Sequence, residues 1–231
     1  MAEGEHQRKA DFLLAGFERR VLPWLAHRLP QWVVPDHMTL LGLVAATGVA
    51  AAYLATNRSE HWLWAASGLL VVQWFGDSLD GTVARVRKIE RPRYGYYLDH
   101  LTDAYSTTAI GLGLGLSPYM LLAVGLAVVI AYLVLSINVY LETHVFGEFG
   151  LGHGRLGPTE ARILLIVLNT SALIIGPLPF RAAGVDMTVF DLAGIAVALG
   201  MWALLIARAA GNLRRLAQLE PPRRDGRTTG N

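Results

Sequence analysis

The 231 residues are 53% hydrophobic and 16% charged, with a mean hydropathy of +0.39, which is more apolar surface than one water-soluble core can hide. A net charge of +2 and a pI near 9.0 are weak grounds for nucleic acid, because the basic residues gather at the ends of apolar runs where lipid headgroups lie. The chain has no cysteine, which excludes disulfides and thiolate metal sites.

In chain order, residues 10–27 place Leu13, Phe17, Val21 and Trp24 on one face with Glu18, Arg19 and Arg20 beside it, the pattern of a helix lying in the membrane interface. Packing of this helix against a bundle is the alternative, and Pro23 is expected to kink it. Uncharged runs then recur at 38–55, 62–76, 104–120, 119–141, 163–180 and 192–207. The second and third reach membrane-spanning length only when joined to 77–84 and 94–103, which keep helical spacing but carry carboxylates. The expected architecture is an all-α polytopic membrane protein. It comprises an N-terminal segment (1–36) with the interfacial helix, a six-helix transmembrane domain (37–215) and a polar tail (216–231) expected to be disordered.

The Lys and Arg residues set an orientation. Five precede the first span, five more (Arg85, Arg87, Lys88, Arg91, Arg93) fill the loop after the second, and the tail is basic, while Arg58 and Arg181 alone fall on the opposite side. Basic flanks stay in the cytoplasm, so both ends are expected there, in a multi-pass protein of the cell membrane.

The chemistry lies in two segments. Asp77, Asp80, Gly81, Ala84 and Arg85 follow one another at helical offsets of 0, 3, 4, 7 and 8, and Gly95, Asp99 and Asp103 recur every four residues. Each helix thus presents two carboxylates on a stripe of small residues. Asp77 precedes Arg85 by about 12 Å of helix and Asp103 follows Tyr94 by about 13 Å, so the four can meet near the cytoplasmic face. Four aspartates in spans cost about 10–14 kcal/mol together if nothing compensates them. Carboxylate oxygens are preferred ligands of Mg²⁺, Mn²⁺ and Ca²⁺, and a two-metal phosphate site is the economical reading. Gly81 and Gly95 leave room for a nucleotide against the helix backbone. A cation or proton transporter would use the same carboxylates, but it needs polar residues toward both membrane faces, and the outer halves of these spans have almost none.

The pattern D-x-x-D-G-x-x-A-R, spacer, G-x-x-x-D-x-x-x-D, formed by Asp77, Asp80, Gly81, Ala84, Arg85, Gly95, Asp99 and Asp103, resembles the signature of the CDP-alcohol phosphotransferases, also called CDP-alcohol phosphatidyltransferases. The resemblance implies a six-helix membrane fold, often dimeric, with two divalent cations (Mg²⁺ or Mn²⁺) gripping the donor diphosphate. It makes Asp77, Asp80 and Asp99 metal ligands, Asp103 a ligand and the general base, and Gly81, Ala84, Arg85 and Gly95 the nucleotide pocket. Its partners are a CDP-alcohol donor and an alcohol acceptor, one of them a lipid. Asp36 stands where many members have Asn and is given no ligand role.

Asp99-His100, the run from Tyr140 to Gly147 and Thr159-Glu160 are similar to segments of the eukaryotic choline and ethanolamine phosphotransferases. That similarity implies a CDP-aminoalcohol donor with a diacylglycerol acceptor, the alternative being CDP-diacylglycerol with a small polar alcohol. His100, Glu142, His144, His153, Arg155, Glu160 and Arg162 sit on the catalytic side and are candidates to shape the acceptor pocket, although ordinary solvated loop positions account for most of them. Asn138 and Asn169, inside spans, are expected to bond between helices.

Overall fold

The computed structural model describes residues 14–146, 157–182 and 184–220. Its helices are α1 (Ala15–Arg28), α2 (Pro35–Ala55), α3 (Trp62–Arg87), α4 (Pro92–Gly115), α5 (Leu122–Phe146), α6 (Pro158–Ile175) and α7 (Val189–Leu219). Three of them, α2, α4 and α6, open on proline, whose fixed φ suits a first turn where its missing N–H leaves no bond unmade. α7 opens on Thr188, which accepts from the Phe190 N–H at 3.1 Å, while Asp191 accepts from the Thr188 N–H at 2.8 Å. The second Asp191 oxygen takes the Leu121 N–H at 2.7 Å, so one buried carboxylate ties the loop before α5 to the start of α7.

α2, α5, α6 and α7 are long and apolar enough to cross a membrane. α3 and α4, at 26 and 24 residues, match them in length but fall short in apolarity because they carry the aspartates. Each carboxylate segment is one unbroken helix with its apolar neighbour. α6 differs from the run read at 163–180: it stops at Ile175, since Gly176 adopts φ +84° and Pro177 and Pro179 cannot continue a helix. The chain then makes a short antiparallel hairpin, β1 (Phe180–Ala182) paired with β2 (Val185–Met187). The run read at 104–120 likewise ends as helix at Gly115. α7 continues to Leu219, past the 215 boundary read from composition.

α2 packs against both α3 and α4, α5 against α4 and α7, and α6 against α3. Close approach depends on glycine. A Cβ on Gly76 would lie 2.5 Å from the Gly42 nitrogen and 2.6 Å from the Met38 oxygen, and one on Gly113 would lie 2.5 Å from the Ala50 Cα. Tyr53, Leu63, Leu70, Tyr119 and Phe190 form one buried cluster. Asn169 bonds across helices as expected, accepting from the Tyr53 hydroxyl at 3.2 Å and donating to Ser67 at 3.1 Å.

α1 has two faces. Leu22, Leu25 and Ala26 join Val33, Met38, Leu79 and Val83 in a second cluster, and Glu18 accepts from Trp74 Nε1 at 3.1 Å and from the Thr159 hydroxyl at 2.6 Å. Phe17 and Trp24 point away and are exposed. Arg87 fixes the following link by donating to the carbonyls of Leu29, Pro30, Gln31 and Val33.

Candidate active site

α3 carries Gln73, Asp77 and Asp80 on the side that meets α2, and α4 brings Thr102 and Ser106 to the same cleft, whose walls also include Thr39, Gly42 and Leu43 of α2. Helical spacing places these groups: Gln73 lies one turn before Asp77, and Thr102 one turn before Ser106. Thr39 donates to Asp80 Oδ2 at 2.8 Å, and the other Asp80 oxygen takes the Gly81 N–H at 2.5 Å. Asp77 meets Arg162 of α6, whose Nη2 lies 2.6 Å from Asp77 Oδ2 while its Nε donates to Gln73 Oε1 at 2.5 Å. On the far side of Asp77, Glu18, Ser78, Thr159, Glu160 and Arg162 line a second recess of about 150 Å³ between α1, α3 and α6.

The four aspartates converge. Asp103 is within hydrogen-bonding reach of Asp77 and feels the charges of Asp99 and Arg162, and Asp80 feels those of Asp99 and Asp77. Asp99 Oδ2 is 3.4 Å from Nδ1 of His100, whose ring packs at a tilt against those of Tyr96 and Tyr140, 4.1 and 5.0 Å between centroids. Among the described residues no three acidic or histidine side chains are spaced as the closed shell of one ion. The donor set still fits divalent cations: it is made of hard carboxylate oxygens, crowded together, with Arg162 balancing one of the charges, and such a site is completed by substrate oxygens rather than by protein alone.

Of the positions expected to line a nucleotide, Arg85 and Gly95 are exposed and Gly81 and Ala84 are half-buried. A Cβ on Gly95 would meet nothing within 4 Å, while one on Gly81 would touch Arg85 Nη1 at 3.2 Å. Arg85 is exposed and its Nη2 donates to Thr82 Oγ1 at 3.1 Å; Ala84 is partly buried beside it. Asp36 pairs with Arg91 at 2.5 Å and accepts from the Tyr94 hydroxyl at 3.4 Å, which joins the starts of α2 and α4.

Arg162 is the residue that sequence reasoning undervalued. It does not sit as a solvated loop residue: it is buried and bonded to both Asp77 and Gln73. The available signal was an arginine in the second turn of an apolar helix, a place where an unpaired charge is costly. Glu160 is structural: it caps α6 through the Gly157 N–H at 2.9 Å and accepts from the Leu14 N–H at 3.1 Å. Glu142 accepts from Asn138 at 2.6 Å, Asn212 at 2.6 Å and Arg208 Nε at 3.0 Å, which fastens α5 to α7. Asn138 therefore bonds within its own helix, to Glu142, which in turn bonds Arg208 and Asn212 of α7. His144 is exposed, and His153 and Arg155 lie outside the described residues.

A family model for CDP-alcohol phosphatidyltransferase matches residues 32–209. The chain is 29% identical to cholinephosphotransferase 1 of Danio rerio over 189 residues, covering 74% of this chain and 47% of that protein. Its match to cholinephosphotransferase 1 of Gallus gallus is also 29% identical and covers 74% and 54%. Phosphatidylinositol phosphate synthase of Cutibacterium acnes is 32% identical over 103 residues, 44% of this chain and 47% of that protein. The chain thus spans about half the length of these curated relatives.

Proposed function

We propose, since this chain belongs to the CDP-alcohol phosphatidyltransferase family, that it transfers a substituted phosphate from a CDP-alcohol to an acceptor alcohol with release of CMP, in phospholipid synthesis. The observation that carries this reading is the convergence of Asp77, Asp80, Asp99 and Asp103 beside one cleft, with Arg162 and Thr39 fixing two of them. Asp77, Asp80, Asp99 and Asp103 would hold two divalent cations, Mg²⁺ or Mn²⁺, which supply charge neutralisation to the donor diphosphate. Asp103 takes the proton of the acceptor hydroxyl, the acceptor oxygen bonds to phosphorus, and the bridging bond to the CMP oxygen breaks with its electron pair leaving on CMP. Gly81, Ala84, Arg85 and Gly95 line the nucleotide's place, where two bare helix surfaces and a guanidinium suit a cytidine diphosphate.

Six membrane crossings are proposed, α2 to α7, with α1 at the cytoplasmic interface. α1 rests one face on α3 and turns Phe17 and Trp24 outward, as a helix between protein and headgroups does. Both ends and the active site then lie on the cytoplasmic side of the cell membrane.

The favoured donor is a CDP-aminoalcohol with a diacylglycerol acceptor, supported by His100 after Asp99, by the 140–147 and 159–160 segments, and by similarity to cholinephosphotransferases. The second reading, CDP-diacylglycerol with a small polar alcohol, is supported by the similarity to a phosphatidylinositol phosphate synthase. Product analysis separates them. Labelled CDP-choline or CDP-ethanolamine should yield labelled lipid with diacylglycerol. Lipid formed only from CDP-diacylglycerol with inositol phosphate, glycerol phosphate or serine would install the second reading instead.

A further inference from the structure

Gln73 lies one turn before Asp77 inside the apolar stretch of α3, and only 2% of it is exposed. Its amide is turned to Arg162 of α6: Arg162 Nε donates to Gln73 Oε1 at 2.5 Å, and Arg162 Nη2 donates to Asp77 Oδ2 at 2.6 Å. These two N–H groups stand on one edge of a planar guanidinium, and their acceptors stand one turn apart on one face of a helix. Two bonds from one rigid edge fix the plane of the group. Gln73 therefore sets where Arg162 points, and Arg162 sets how the Asp77 carboxylate is turned. The next aspartate on α3 is held in a similar way, since Thr39 of α2 donates to Asp80 Oδ2 at 2.8 Å. Each of the two gives one oxygen to a donor from another helix.

Neutralising Asp77 requires a positive charge within reach, which Arg162 supplies by itself. A neutral amide adds no charge to the pair; what Gln73 adds is direction. Direction matters to a metal ligand, because the hydrogen-bonding partners behind a ligating carboxylate orient it, and loss of one commonly costs about 10–100-fold in metal affinity.

We infer that Gln73 is a positioning residue for the divalent-cation site: acting through Arg162, it holds the Asp77 carboxylate in the orientation in which it takes a cation. The inference rests on the metal-dependent transferase reading above, in which Asp77 is a ligand.

The test is Mn²⁺ binding by the purified full chain in detergent micelles, followed by the electron paramagnetic resonance signal of free Mn²⁺. Beside it runs CMP release from CDP-choline with dioleoylglycerol, or from CDP-dioleoylglycerol with glycerol 3-phosphate. Gln73→Met keeps the size of the side chain and every charge in the site, and removes the amide oxygen that holds Arg162. It should raise the Kd for Mn²⁺ about tenfold, and by the same factor the Mn²⁺ concentration that gives half-maximal CMP release. Arg162→Lys keeps the charge but not the two-pronged edge, and should weaken Mn²⁺ binding likewise. Ser67→Ala, which deletes a buried hydrogen bond to Asn169 farther along α3, is the control, and its Kd should match wild type. Gln73→Met protein that binds Mn²⁺ as tightly as wild type, or an equal weakening in Ser67→Ala, overturns the inference. If Gln73→Met yields no folded protein, Arg162→Lys decides: wild-type affinity there shows that charge alone suffices and overturns it too. Wild-type protein that binds no Mn²⁺ rejects the metal site and the inference with it, whereas wild-type protein that binds Mn²⁺ but releases no CMP from either pair rejects the transferase reading alone.

Discussion

At the scale of single residues, Asp103 has a role the other three aspartates do not share. Asp103→Asn keeps the size and one oxygen of the side chain but removes the base, so donor affinity should persist while turnover falls steeply. Isothermal titration with the CDP-donor beside a CMP-release assay checks this, and turnover at the wild-type rate refutes the assignment. Arg162→Met should leave Asp77 without its guanidinium. Loss of one partner from a mostly buried pair costs about 3–5 kcal/mol in other proteins, and the partial exposure of both groups puts the expectation at the low end. Thermal unfolding in detergent should show a clear drop in midpoint, and an unchanged midpoint would mean that the pair contributes nothing to the fold. The aspartates were legible in the sequence because their spacing is helical and their chemistry costly. Arg162 was not, because a single arginine carries no period, and its partners Gln73 and Asp77 lie 85 or more positions away.

At the scale of elements, helix packing depends on a few bare backbones. Gly76→Leu would drive a side chain into the Met38 carbonyl and the Gly42 backbone, neither of which can rotate aside. Overpacking of this kind costs about 1–3 kcal/mol or more, and because α3 carries Asp77 one residue later, activity should fall with stability. The midpoint of unfolding and CMP release read both, and a variant equal to wild type in each would remove the close α2–α3 approach from the account. Gly42, Ala46 and Ala50 recur every four residues along α2, a spacing that makes a packing surface but does not say which helix meets it. Gly42 receives Gly76 of α3 and Ala50 receives Gly113 of α4, a pairing that topology decides. The ends of α6 and α4 escaped the sequence reading for a related reason. Hydropathy continues through Leu178 and Leu116, but Gly176, Pro177 and Pro179 stop α6, and α4 stops at Gly115.

At the scale of the whole molecule, the absence of cysteine makes topology directly measurable. A membrane-impermeant thiol reagent applied to intact cells should label Ser59→Cys, in the α2–α3 link, and spare Glu90→Cys, in the α3–α4 link; the reverse pattern, or labelling of both, contradicts six crossings with a cytoplasmic site. The central claim is chemical, and release of CMP by purified protein tests it most directly. With a CDP-alcohol, an acceptor alcohol and Mg²⁺ or Mn²⁺, CMP should appear in step with the lipid product, stop when a chelator removes the divalent ions, and return when they are restored. CMP formation that continues at full rate in thoroughly metal-free protein, or none with any CDP-alcohol and acceptor, would contradict the account.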